Sequence, residues 1–282
     1  MESKKAMIQR EGAAKAYEDL FEIKRQALET LELTDVGQYL WMQGQLTDMD
    51  VGNVLRLKAQ LTGARDVRTF EEWAEVGIAI KKGERALKIL DTKRDVNDEV
   101  VLYIKNVFDI SQTTRSYEWD PVCDNPMTHV YALVRLAGVK LGKFKKITPT
   151  TKNVAYLKEE NIFVINPIVD EALLMVHAAE NAIYRLREQN NLHYYLDGKR
   201  DTRIKSAHLA AQIYVSRYGI SDPDGWEESL ETLKALDLKG KEEMLSQARF
   251  DFLYLVSHTE PLFLELGKSY SLKDSQQRGS VR

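Results

Sequence analysis

One cysteine, Cys123, stands among 282 residues, so no disulfide can close within the chain and a multi-cysteine zinc site is excluded. Long apolar runs are missing too. Stretches such as Ala172-Leu173-Leu174-Met175-Val176 fall far short of the roughly 20 residues that cross a bilayer, and no membrane contact is expected. The opening residues, Met1 to Arg10, lack the apolar core of a secretion signal. Glycine-rich phosphate loops, dinucleotide fingerprints and internal repeats are likewise absent. These absences predict a cytoplasmic protein with no cofactor. What is present is ordinary: 44% hydrophobic and 29% charged residues, a balance that argues against global disorder. The length suits two domains of usual size.

Charge of one sign is also in short supply. The net charge of -3 excludes a chain that holds nucleic acid by bulk attraction, because phosphate neutralisation drives that binding. Any such site must be a local patch. One stretch qualifies, since Arg56, Lys58, Arg65, Arg68, Lys81, Lys82, Arg85, Lys88, Lys93 and Arg94 outnumber the acids among them. The segment before it is acidic, with Glu18, Asp19, Glu22, Glu29, Glu32 and Asp35.

Helix-forming residues with a recurring apolar face predict an amphipathic helix over residues 11–33 and another over 50–61, stopped at Thr62-Gly63. Thr69-Phe70-Glu71-Glu72 fits a capping box that opens a short helix, from which Trp73 and Val76 should point inward. Residues 86–91 and 99–108 read as strands joined by a charged turn. A polar and aromatic loop follows over 112–126, then a helix over 127–141. The basic and then Thr/Pro-rich stretch 142–151 reads as the boundary between domains. Beyond it lie strands near 155–156 and 161–166, and helices over 169–188, 202–218, 225–235 and 241–256. The expected organisation is a first domain over 1–145, a second over 152–270 and a disordered tail over 271–282. The fold class is α+β: N-terminal helices with a small antiparallel sheet, then a mainly helical domain.

Asn53-Val54-Leu55, Gln60, Phe70-Glu71-Glu72-Trp73, Ile80-Lys81-Lys82-Gly83-Glu84, Ile89-Leu90 and Val107-Phe108-Asp109-Ile110-Ser111-Gln112-Thr113 follow one another over about sixty residues. In order and spacing they resemble the N-terminal domain of the ArdC antirestriction proteins, a plasmid- and phage-associated family that binds single-stranded DNA. Arg56 and Ala86-Leu87 depart from that pattern. A single strand needs cations for its phosphates and flat side chains under its bases. Arg56, Arg68, Lys81, Lys82, Arg85 and Lys88 offer the first; Tyr103, with Tyr117 and Trp119, offers the second; Gln112 completes the candidate set. Trp73 and Phe108 read more simply as core. Gly83 reads as a turn residue, and Asp109 and Gln112 can instead order the corner after the strand.

Proteins of that family carry a zincin-type metallopeptidase domain next, and this chain keeps its frame in Ala155-Tyr156, Ile162 to Asn166, the helix through His177, and Tyr218-Gly219-Ile220. The frame's chemistry needs two histidines four apart on one helix to bind zinc, with a glutamate as general base. His177 matches the first histidine, but Ala178 stands at the general base and Asn181 at the second histidine; Glu180 is one residue off. Ile204 and His208 fall where acidic residues should stand. An alternative metal set would join His177 and His208 to Glu180 or His193, and residual histidines on packed helices are the better reading. The expectation is therefore a degenerate, non-enzymatic second domain with no catalytic residue and no metal. The resemblance implies a counter-defence protein of a phage or mobile element, active in the host cytoplasm, with single-stranded DNA, a host defence protein and a second copy of the chain as partners. The rival is a protein-binding inhibitor of a host nuclease with no affinity for DNA.

Overall fold

The computed structural model describes residues 4–115, 125–144, 153–190, 200–220 and 227–279. The fold is α+β, with helices and two three-stranded sheets among the described residues. The chain divides into two compact units: Met1–Asp120 with Lys234–Glu242, and Pro121–Leu233 with Glu243–Arg282. The division falls at Asp120, whereas the sequence suggested 142–151.

The first unit opens with α1 (Lys4–Glu29), α2 (Leu33–Gln45) and α3 (Val51–Gln60). The first helix ends at Glu29, short of the expected 33, and Leu33 begins α2, whose Val36, Tyr39 and Met42 are fully buried. Asp50 starts α3 by accepting a hydrogen bond from the Asn53 amide, relieving one of the unpaired donors of the first turn. Gly63 follows the helix with φ +90°, a conformation that disfavours any side chain. Next come β1 (Val67–Arg68), α4 (Phe70–Glu75), β2 (Leu87–Arg94) and β3 (Val100–Asp109). The capping box predicted at Thr69 and Glu72 is present. Trp73 is 1% exposed and its indole N–H donates to the Phe108 carbonyl at 2.9 Å. Val76 departs from expectation, half-exposed, because α4 ends at Glu75 and leaves it off the helix.

The three strands are antiparallel in the order β1-β3-β2, with Ile89 opposite Lys105 and Asp91 opposite Tyr103. The outer edge of β2 is closed by side chains. Asn53 donates to the Leu90 carbonyl at 2.7 Å and accepts from its N–H at 2.9 Å. Two turns along α3, Gln60 makes the same pair of bonds to Lys88, both at 2.8 Å. Each carboxamide thus imitates a strand peptide and removes an unpaired edge. Asn53→Ala is expected to destabilise the first unit by about 1–3 kcal/mol, since it strands a buried N–H and C=O together. A denaturant titration that places the variant within error of the parent would refute that role.

The second unit contains α5 (Pro126–Leu136), β4 (Lys140–Lys143), β5 (Val154–Leu157), β6 (Ile162–Ile165), α6 (Glu171–Asn190), α7 (Arg200–Arg217) and α8 (Glu227–Lys234), with most of α9 (Leu238–Gly279). Residue Lys234 and the start of α9 belong to the first unit. Strand β6 is central, parallel to β4 and antiparallel to β5. Its Phe163 is fully buried. The basic stretch read as a linker thus includes a strand, and α5 stops at Leu136, short of the expected 141. Helix α9 also outruns its sequence signal, its backbone remaining helical through 271–279, where a disordered tail was expected. Ala178, Ala179 and Ala182 of α6 and Ala207, Ala210 and Ala211 of α7 are all completely buried, and the two helices pack together.

Candidate functional site

The arm between α4 and β2 is pinned to the corner that follows β3. Lys81 N–H donates to the Gln112 carbonyl at 2.9 Å, Thr114 N–H to the Ala79 carbonyl at 2.8 Å, and Ile80 bridges Thr113. The corner itself is rigid. The Asp109 carboxylate accepts from the N–H groups of Arg65, Asp66 and Ser111. Gln112 accepts from the Asp109 N–H at 2.9 Å and donates to the Arg85 carbonyl at 2.8 Å. Between these anchors Gly83 turns the chain at φ +94°, as its sequence context predicts. The result holds Lys81, Lys82, Arg85 and Lys88 exposed on one short arm and the strand it feeds. Lys81 gives one of its ammonium protons to the Ser111 carbonyl at 2.8 Å.

The other predicted residues are engaged with the protein itself. Arg56 is 4% exposed, donates to the Leu20 carbonyl at 3.0 Å and to the Asn53 side chain at 3.2 Å, and lies over the Phe21 ring. Burial pulls its guanidinium below the usual arginine range. It is a structural link, which corrects its place in the candidate patch. Gln112, 7% exposed, is corrected in the same way: both ends of its amide serve the corner. Arg68 forms a two-pronged ion pair with Asp66 at 3.0 and 3.1 Å and covers the Trp73 ring. The Tyr103 hydroxyl donates to Asp91 at 3.0 Å, and the Lys93 ammonium sits 5.2 Å from its ring centre. Tyr117, Trp119, Cys123 and His193 lie outside the described residues. One residue escaped the sequence reading: Phe70 is 58% exposed, although it opens the helix that buries Trp73. It stands at the first position of the six-residue α4.

In the second unit His177 and His208 converge on one carboxylate. Their Nδ1 atoms lie 3.6 and 3.5 Å from Glu180 Oε2, and the Tyr184 hydroxyl donates to Glu180 Oε1 at 2.9 Å. Burial works to raise the Glu180 carboxyl, but the two imidazoles and the phenol outweigh it and hold the group well below the usual carboxylate range. Burial and the adjacent carboxylate push the Tyr184 hydroxyl up, so it acts as a donor. The residues present do not fit a hydrolytic metal centre. Ala178, which the family resemblance sets at the general-base position, is completely buried, and the Asn181 amide donates back to the His177 carbonyl at 2.8 Å. Among the described residues no group of three or more histidine, cysteine, aspartate or glutamate side chains is placed to hold a metal ion.

No protein-family model and no curated protein matches the chain. Among solved structures it is similar to the antirestriction ArdC protein from the R388 plasmid. Against the Mn(II)-bound structure of that protein the TM-score is 0.51 at 15% identity, with 78% of this chain and 91% of that one covered. Against the metal-free structure the TM-score is 0.46 at 15% identity, with 74% and 85% covered. The fold is thus ArdC-like. No helix among the described residues is long and apolar enough to cross a membrane.

Proposed function

We propose that this chain is a non-catalytic antirestriction protein whose first unit binds single-stranded DNA. The observation that supports this most directly is the exposed set Lys81, Lys82, Arg85 and Lys88, carried on an arm fixed at both ends within an ArdC-like fold. A backbone already held in place has less freedom to lose when its cations meet phosphates, and a short run of them tracks a flexible strand. The second unit serves as a scaffold, for a host defence protein or a second copy of the chain, and the protein acts in the host cytoplasm.

Fluorescence anisotropy with a labelled oligonucleotide at two salt concentrations tests the DNA reading. Replacing Lys82, Arg85 and Lys88 by alanine removes three candidate phosphate contacts, so the logarithmic salt slope should fall by about 2. Affinity at low salt should drop at least tenfold. An unbound oligonucleotide at low salt, or a triple variant that binds like the parent, would sink it. The net charge of -3 and the withdrawal of Arg56 and Gln112 into the fold favour a second reading, in which the chain inhibits a host nuclease by protein contact alone. Recovery of a nuclease from host lysate by a chain that never binds DNA would establish that alternative.

A further inference from the structure

The outer edge of β3 is only partly covered. Strand β1 pairs with Asp109 and Phe108 through Val67 and Arg68, and the chain then turns at Thr69 into α4. Further along, the peptides of Leu90 and Lys88 bond Asn53 and Gln60 instead of β3, so their cross-strand partners Ile104 and Asn106, and by alternation Leu102, turn their peptide groups the other way. The Leu102 carbonyl accepts from the Tyr17 hydroxyl at 3.0 Å. The peptides of Ile104 and Asn106 have no strand beside them among the described residues. They border a groove of about 560 Å³ that Phe70, Tyr103 and Phe108 also line.

We propose that this groove receives a base of the single strand, with Phe70 as its stacking surface. The inference rests on the DNA reading above and assigns the aromatic element that the reading lacked. An exposed ring in the same groove as peptide groups with no strand beside them among the described residues offers a base one flat contact and one polar edge. Such a site takes an unstacked base and is sequence-tolerant. Charge decides the occupant. Lys88 lies directly across the sheet from Asn106 and is exposed, and Arg85 precedes Ala86, which lines the groove. These cations flank the groove against one exposed acid in its wall, Glu71. An extended peptide would use the same free edge but gains nothing from the neighbouring cations, so a polyanion is the better fit.

Phe70→Ala should weaken oligonucleotide binding at least fivefold, the low end of what loss of one base–aromatic contact produces. Its salt slope should match the parent, because the ring neutralises no phosphate. Phe70→Tyr should restore affinity, and Glu71→Gln should tighten binding at low salt. An oligonucleotide of abasic sites should bind parent and Phe70→Ala alike. Phe70 is exposed, so circular dichroism should show the variants folded. If the parent binds, the triple cation variant fails and Phe70→Ala binds like the parent, this inference is overturned and the DNA reading survives. If the parent does not bind, both fall.

Discussion

Asp251→Ala should unfold the second unit more readily by about 3–5 kcal/mol, the usual cost of leaving a buried charge alone. Asp251 and Arg187 are 4% and 5% exposed at their side chains and form an ion pair between α9 and α6. The guanidinium also donates to the Ser206 hydroxyl at 2.9 Å and to the Arg203 carbonyl, both on α7. Gln247 donates to both Asp251 oxygens at 3.2 Å. Three helices therefore meet at one charge pair, and truncating the carboxylate leaves Arg187 positive in a dry setting. The pair itself is a different quantity from its rupture. Taking two charges out of water offsets most of their attraction, and apolar replacements of similar volume are often neutral. Arg187→Met combined with Asp251→Leu should thus be markedly less destabilising than Asp251→Ala alone. Denaturant midpoints of the single and double variants read the difference. A double variant that is worse than the single by the full cost of both would show that the pair, not the isolated charge, carries the stability.

Local chemistry made part of this molecule legible. The Thr69 capping box, the Asp50 start of α3, the β2–β3 hairpin, the Gly83 turn and the helix end at Tyr218-Gly219-Ile220 all follow from side chains a few residues apart. Helix α2 was hidden because its segment holds Gly37 and Gly44 and its N-cap, Glu32, makes no capping bond. Burial of Val36, Tyr39 and Met42, each worth about 1.5–3 kcal/mol, makes it a helix instead. Strand β4 was missed, its first half read as the end of a helix and its second as linker, because Lys140-Leu141-Gly142-Lys143 becomes a strand only beside β6, about twenty residues on. The site divides the same way. Counting cations picked out Lys81, Lys82, Arg85 and Lys88 as candidates, and all four are exposed. The same count misplaced Arg56, because every residue from Val51 to Leu57 is buried and α3 has no exposed face there to present a charge. Asn53 and Gln60 carried the resemblance, yet their work is to close a sheet edge, a pairing set by the crossing of α3 and β2 and not by spacing alone.

Acid should loosen the second unit well before its carboxylates titrate, and His129 is the cause. The ring is 5% exposed and sits among Tyr218, Phe263 and Tyr214, with centroids 4.3, 4.1 and 6.0 Å away. Burial drives its pKa from the ordinary 6.5 down to about 4. His129 Nδ1 lies 3.2 Å from the Tyr214 hydroxyl, which in turn bonds Thr259 at 3.2 Å, and Thr259 donates to the Leu255 carbonyl. The sign follows from where each state binds the ring's second proton. The unfolded chain takes it near pH 6.5 and the folded chain near 4, so this contribution to stability is full above about pH 6.5. It falls as pH drops through that interval and is lost below about 4, for a total of about 3 kcal/mol. Depressed carboxylates such as Glu180 add their own loss only below the usual carboxylate range, so between pH 6.5 and 5 the comparison with a His129 variant is free of them. His129→Phe keeps an aromatic ring in the cage and removes the titration. Hydrogen exchange at the α7 amides, followed across that window, should show protection falling in the parent and staying level in His129→Phe. Parallel slopes in the two proteins would assign the acid sensitivity to another group.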